Sequence, residues 1–579
     1  MKKLLLLTLI ISNITHSQTF QWAKRGGGNN SITTGGLTVR AEEAIDVVTD
    51  LNNNIYTISR VTKTGLDVDG NTRPFYDTGT EFDFVISSFA CDGSYRWSKT
   101  IGGKGYEIMN LRSDGQGSIY VGGRFGGCQD NSYPPQIEGD VLISQSPQDC
   151  SLIFLVKFNT DGVMQWFKRP QSTNVSPSVG FGQTGSYGLQ VDDLGNNYWL
   201  VAVPPGSYEN GAFISTESTT KFFIFKYNTN GTFVSATLMD FMVSGAFIQT
   251  LRFYRNPQTG QYYLTSNKSN SGSATATLGT STVAGSFFIA SYDTNGQKLW
   301  HQEDAAGATG SNFESYDLTT DTLNNIYFAG RVFGNSSVLF MGFTVPQSGA
   351  KTYILKLNST GTSLLWSTYP QDINGTYNSC GLAVNGNEIG YTGMCFDSTY
   401  TWGTQSIFAS NANQGTEVLF GRFNTATGDC LSLTKIPGDN GYSDSGSALA
   451  VDSSGDYIIG GGFGHNLTVN GTTITNEGSQ SDFFIAKYAT TACSTASTED
   501  FDKEQGLNFY PNPVNNILTI DIKENSNYIL YNLQGRTIIQ GKLSSSQNTI
   551  DCSDLVSGCY MLHIVDSNDK KQVVKVLKN

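Results

Sequence analysis

The chain is 579 residues long, too long for one ordinary compact domain. Charged residues make up only 15 %, glycine numbers 64 and the formal net charge is −13. That composition reads as a turn-rich all-β chain, and its acidic balance offers no basic face for nucleic acid.

The first element is a leader. "MKKLLLLTLIISNITHSQ" sets Lys2 and Lys3 before an apolar run from Leu4 to Ile11, with Thr15 and Ser17 as small residues for cleavage. This is the pattern of a secretory signal peptide over residues 1–17, too short to cross a bilayer. No later stretch is long and apolar enough to span a membrane, so the mature chain is expected to have no transmembrane segment.

Residues 18–493 repeat. "FLVKFNTDGVMQW" from Phe154 has counterparts starting at Phe84, Phe223, Phe288, Tyr353, Leu419 and Phe484. The steps are 70, 69, 65, 65, 66 and 65 residues. Each copy is an apolar strand, an Asn/Thr/Gly turn and a second strand often centred on tryptophan: Trp97, Trp166, Trp300, Trp366. A hairpin motif runs in phase with it, as in "DVVTDLNNNIYTIS" from Asp46 and "LAVDSSGDYIIGGG" from Leu449. A degenerate copy, "RFYRNPQTGQYYLTS", starts at Arg252, and Gly390 stands where the other copies carry tyrosine. One period therefore holds four strands, and seven periods predict a seven-bladed β-propeller. The last unit lacks a tryptophan strand, and "TFQWAKRGG" with Trp22 supplies one, so residues 19–24 are expected to close the ring.

"WSKTIGGKGYEIMNLRSDGQGSIYVGG" (97–123) and "SDFFIAKY" (481–488) resemble the bacterial propeller repeats known as SBBP repeats. The resemblance covers roughly residues 19–490 and implies architecture, not a ligand.

Residues 494–506, polar and acidic, read as a linker. From 507 to 579, "LNFYPNPVNNILTIDI", "YILYNLQGRTIIQGKL" and "IDCSDLVSGCYMLHIV" are alternating strands split by turns, a small β-sandwich. This segment resembles the type A C-terminal sorting domain of the type IX secretion system of Bacteroidetes. Tyr510, Pro511, Asn512, Pro513, Gly535, Gly558, Tyr560 and the basic end at Lys575 and Lys578 carry the likeness. It implies the type IX machinery as a partner and an address outside the cell.

Nine cysteines are odd in number, and an exported chain allows disulfides. Cys380 with Cys395 and Cys552 with Cys559 are near enough in sequence to pair.

Within each unit the tight turns fall on one face and long connections, such as 61–81, 124–151, 202–221 and 395–416, on the other. Ligands are expected on the long-loop face. Glu43, Glu107, Glu314 and, near the same register, Asp444 precede the first strand of their units. Either they ring a mouth that binds calcium or a basic ligand, or they cap turns and meet backbone of a neighbouring unit. Aromatics in the long connections (Phe75, Tyr76, Tyr133, Tyr400, Trp402) either stack on sugars and partner proteins or pack beneath their own loops. The ligand candidates are thus Glu43, Glu107, Glu314, Asp444, Tyr400 and Trp402, with no catalytic set, no metal ligands and no cofactor beyond that calcium. Metalloprotease, serine-elbow and phosphate-loop motifs do not occur. A binding propeller for a glycan or surface protein is the leading expectation. A polysaccharide-cleaving propeller enzyme and a structural surface module are the alternatives.

Overall fold

A computed structural model describes residues 18–28, 42–62, 65–76, 82–103, 110–125, 134–142, 152–170, 185–268, 274–305, 311–334, 339–344, 351–371, 380–396, 398–409, 415–439, 441–478, 481–493, 509–522, 525–532, 537–544, 548–566 and 571–579. The leader, the linker, Glu107, Cys128, Tyr133, Cys150 and Gly535 lie outside these. The chain is nearly all β and divides into two compact units, residues 1–493 and 494–579.

In the first unit seven antiparallel four-strand meanders follow one another. Their first strands are Glu43–Thr49, Asn110–Ser113, Gly185–Val191, Arg252–Arg255, Ser311–Thr320, Gly381–Asn385 and Ser445–Val451, and the sheets are numbered one to seven in that order. Each first strand lies against the first strands of the sheets before and after it, including seven against one. Thr19–Gly27 pairs along Asp482–Ala489 as the outer strand of sheet seven.

Local chemistry explains the repeat. In sheets one, two, three and five an aspartate opens the first turn: Asp50, Asp114, Asp192 and Asp321. Its Oδ1 accepts backbone N–H groups two and four residues on, and its Oδ2 accepts the hydroxyl of the tyrosine six residues on, all at 2.8–3.1 Å. One carboxylate thus satisfies the turn and ties down an inward tyrosine. Gly390 departs from this pattern because a Cβ there would stand 2.5 Å from the ring of Tyr457, which sheet seven lends to the joint.

The tryptophans join neighbouring sheets. Indole N–H groups of Trp97, Trp166 and Trp366 donate to Thr160, Thr229 and Thr425 carbonyls at 2.7–3.0 Å, each in the outer turn of the next sheet. A glycine lies over each ring: Gly162, Gly231 and Gly428 have φ of 75°, 74° and 79°, and an added Cβ would approach the indole to 2.7–2.8 Å. Trp22 repeats the arrangement between sheets seven and one, donating to the Cys91 carbonyl at 3.2 Å beneath Gly93.

Two further features join these sheets. The hairpin Asp67–Val68/Asn71–Thr72 from sheet one's long connection pairs with Gly26 and Gly27, just as Gln136–Ile137 of sheet two pairs with Ile101 and Gly102 of sheet one. A disulfide joins Cys91 to Cys493, 402 residues apart. This corrects the expected pairs: Cys380, Cys395, Cys552 and Cys559 are free. Cys380, Cys395 and Cys552 are buried in apolar clusters, where neighbourhood in sequence gives no shared surface.

Charge is buried at the same joint. Arg25 bridges Asp482 at 2.6 Å and Asp67 at 2.7 Å. Glu42, 1 % exposed, accepts N–H groups of Gly28 and Thr62. Burial pushes Asp482 up to about 7, despite the Arg25 charge. Burial, with the charge of Asp482, also pushes Glu42 well above the usual range. Both folded-state values lie above their unfolded ones. The stability they contribute is therefore full below about pH 4 and is lost as pH rises, through about 7 for Asp482. Melting temperature should fall between pH 5 and pH 8, and Asp482→Asn should flatten that slope by about 2 °C. Scanning fluorimetry across this range checks it; an unchanged slope in the variant refutes the assignment.

In the second unit, a three-stranded sheet (Phe509–Tyr510, Ile517–Ile520, Thr549–Asp551) and a four-stranded sheet share one core around Leu518, Leu530, Leu562 and Val576. Asn512 fastens the Tyr-Pro-Asn-Pro turn to the last strand, donating to the Lys575 carbonyl at 2.9 Å and accepting the Leu577 N–H at 2.7 Å. Tyr560, buried, donates its hydroxyl to the Val556 carbonyl at 2.7 Å; Tyr510 and Lys575 are exposed.

Candidate functional site

The first strands of sheets one to five and seven, with Cys380 just before the first strand of sheet six, line a cavity of about 540 Å³. That volume suits a drug-sized molecule or one to two sugar rings. Its wall mixes aromatic groups (Phe82, Phe84, Tyr187, Tyr254, Tyr263, Tyr316) with Glu43, Asp46, Asn110, Arg60, Arg112, Gln190, Arg252, Asp317 and Cys380.

The acids in this wall are engaged. Glu43 binds Arg60 at 3.0 Å across the strand pair. Asp46 binds Arg112 at 2.5 Å and accepts the N–H groups of Val47 and, on the next sheet, Leu111. Asp317 occupies the same repeat position four sheets on and accepts the N–H groups of Leu318 at 2.8 Å and Leu382 at 2.7 Å. So Asp46 and Asp317 each clip one first strand to the next. Surrounded by protein, Asp317 is pushed up to about 6 by burial, against the pull of those two N–H groups.

Arg252 takes that repeat position in sheet four. Among the described residues its guanidinium makes one hydrogen bond, to the neighbouring Leu251 carbonyl at 3.4 Å, and no ion pair. Burial pushes its pKa down, while the charge of Asp317 works the other way. Directly across the strand pair stands Thr265, 1 % exposed, whose Oγ1 has no hydrogen-bond partner among the described residues. Cys380 also faces the cavity, but burial pushes its thiol well up, away from the reactive thiolate.

Sequence reasoning placed the site by other residues. Glu43 is in the cavity wall. Glu314, its counterpart in sheet five, binds Arg331 at 2.6 Å and accepts the Tyr316 hydroxyl. Asp444 is fully buried, accepts the Gly464 N–H at 2.8 Å, and matches the register of Glu42 rather than Glu43. The structure does not bring these acids together, and among the described residues no three His, Cys, Asp or Glu groups converge on a metal position.

The aromatic candidates need correction. Tyr400 and Trp402 are buried, not displayed. They alternate along the hairpin Ser398–Trp402/Gln405–Ala409, and their shared face turns onto sheet six. Trp402 donates to Thr368 Oγ1 at 2.7 Å and its ring meets Phe423 at 4.6 Å. The opposite strand exposes Phe408 instead. Phe75 packs half-buried on the joint of sheets seven and one.

Two histidines complete the inventory. His301 is half-buried in a strand, its pKa pushed down by burial. His465 is half-buried, stacks on Tyr442 at 4.7 Å and binds Asp439 at 2.5 Å, holding that carboxyl below its usual range.

Sequence reasoning missed Asp46, Arg112, Arg252 and Asp317. The available signal was the repeat column Asp46, Asn110, Gly188, Arg252, Asp317, Gly381, Ala448, where charge of either sign intrudes on small or neutral residues.

No curated protein matches the chain in sequence. Among solved structures, a quinohemoprotein alcohol dehydrogenase from Comamonas testosteroni is similar at 9 % identity, over 88 % of this chain and 80 % of that one, with a TM-score of 0.33. An ulvan lyase of a new polysaccharide lyase family is similar at 10 % identity, over 77 % and 97 %, with a TM-score of 0.36. Among the described residues no helix is long and apolar enough to cross a membrane. Residues 508–579 match the secretion system C-terminal sorting domain. That domain engages the type IX secretion machinery, and the protein is exported through it to the cell surface or the extracellular space.

Proposed function

We infer that residues 18–493 are a seven-bladed β-propeller of the SBBP type from a member of the Bacteroidetes, preceded by a signal peptide and closed by its N-terminal strand. It works outside the cell as a non-enzymatic binding protein. Its ligand is a glycan, taken by one end or one unit into the central cavity. Support for closure comes from the joint of sheets seven and one, which repeats the tryptophan and hairpin contacts of the joint between one and two.

The observation that carries the binding reading is the cavity itself, walled by rings and by a few polar groups, where among the described residues Arg252 has no ion pair and Thr265 Oγ1 no hydrogen-bond partner. Support for binding over cleavage comes from the state of the wall's acids. A glycosidase needs one carboxyl poised to donate and another to attack or activate water. Here Glu43 and Asp46 are tied to arginines and Asp317 is held by two backbone N–H groups.

A glycan array probed with the secreted chain tests this. Gln190→Trp fills the cavity from its wall and should weaken the best array signal by about tenfold or more. Binding that survives the substitution unchanged would move the ligand off the cavity.

A further inference from the structure

We propose that the cavity recognises a carboxylate, held by the fork of Arg252 with Thr265 as second donor; this rests on the cavity being the ligand site.

Three arginines line the cavity. Arg60 is matched by Glu43 and Arg112 by Asp46. Arg252 is matched by neither acid. The acid whose field it feels most is Asp317, yet the two are not within ion-pair distance, and both Asp317 oxygens already accept backbone N–H groups. A guanidinium carries five N–H donors in a planar fork. Arg252 uses one of them, weakly, on its neighbour's carbonyl. Half-buried in the cavity wall, the guanidinium leaves its other donors open to an acceptor that enters the cavity. The geometry that suits the fork best is two parallel bonds to a carboxylate.

Thr265 adds an independent observation. It pairs in register with Arg252, lines the same cavity and is 1 % exposed, and its hydroxyl has no partner among the described residues. A buried hydroxyl in that state is the exception that calls for an explanation. An acidic ligand on Arg252 supplies it, with Thr265 donating to the same group.

The negative charge is single. One unmatched cation offsets one charge, and the wall also carries Asp46 and Asp317, which would repel a second. A carboxylate fits this balance, while a doubly charged phosphate monoester does not. The body beyond the carboxylate meets the half-buried Tyr254 of the same wall, an aromatic group that suits a sugar or another flat or chair-like ring. A free organic acid and an acidic sugar unit of a glycan share this chemistry.

The test is isothermal titration of the secreted full-length chain at pH 7.5 with matched pairs. Glucuronate is set against glucose and benzoate against benzamide, with phenyl phosphate as the doubly charged probe. The expected result is at least tenfold tighter binding of the acid in one pair. Phenyl phosphate should bind more weakly than benzoate. Arg252→Gln should abolish the acid preference, and Arg252→Lys should restore part of it. Preference for glucuronate alone identifies an acidic sugar; preference for benzoate as well identifies a general carboxylate site. Because the pairs are compared on the unmodified protein, a variant that fails to fold leaves the test standing. Equal binding of acid and neutral partner, no binding of either acid, or a preference that survives Arg252→Gln would overturn the proposal. If neutral glycans still bind and Gln190→Trp removes them, the carboxylate inference fails while the cavity reading stands. If glycan binding ignores Gln190→Trp, the cavity reading itself fails.

Discussion

Changing both Cys91 and Cys493 to serine should cost the propeller-like unit about 2–5 kcal/mol. The bond spans 402 residues, so it removes a large share of the unfolded chain's freedom. It also sits where the sheets have no continuous chain to join them. Residue 91 is in the outer turn of sheet one and residue 493 follows the last strand of sheet seven. Every other pair of neighbouring sheets is joined by the chain running from one to the next; this pair has the bond, the Thr19–Gly27 strand and side-chain contacts. Denaturant melts of the wild-type chain with and without reductant, beside the double variant, measure the effect. Reduced wild type should coincide with the variant. Coincidence of the oxidised and reduced curves would show that strand pairing alone holds the joint.

Trp22→Ala is expected to cost about 3–5 kcal/mol, the range for removing a buried large aromatic. The loss combines a ring packed under Gly93 with a hydrogen bond to the Cys91 carbonyl. Trp97→Ala removes the same kind of contact between sheets one and two, where the chain is continuous. The two substitutions therefore separate packing from the joining of sheets seven and one. In the background lacking the disulfide, Trp22→Ala should cost more than it does in wild type, because strand and ring would then hold the joint unaided. Trp97→Ala should add independently in either background. Equal coupling for Trp22 and Trp97 would deny the joint any special role.

The architecture was legible because its cause is local. An aspartate that holds a turn and a tyrosine six residues on, or a tryptophan beneath a glycine, must recur wherever the geometry recurs. The orphan strand around Trp22 was legible for the same reason. The site was not legible because it breaks the pattern. Arg252 lies in the most degenerate copy of the hairpin motif, and its idle donors become visible only once sheets one and five are beside it. Glu43 and Glu314 attracted notice as a recurring acid, yet recurrence here meant a recurring arginine across the strand. Tyr400 and Trp402 lie in a long connection, but a hairpin's alternation buries one face of it. The disulfide escaped for a simpler reason, since the contact of sheets seven and one, not sequence distance, brings Cys91 beside Cys493.

The Cys91–Cys493 bond carries a consequence for life among extracellular proteases. A backbone cut anywhere between these two residues leaves both fragments on one covalent thread, because the far side of the loop is intact. Such a nick separates no fragment until a reductant reaches the sulfurs, and the sheets on either side of the cut remain in register. A single cut should therefore convert the protein into a nicked form heavier by one water, which runs as one band without reductant and as two pieces on a reducing gel.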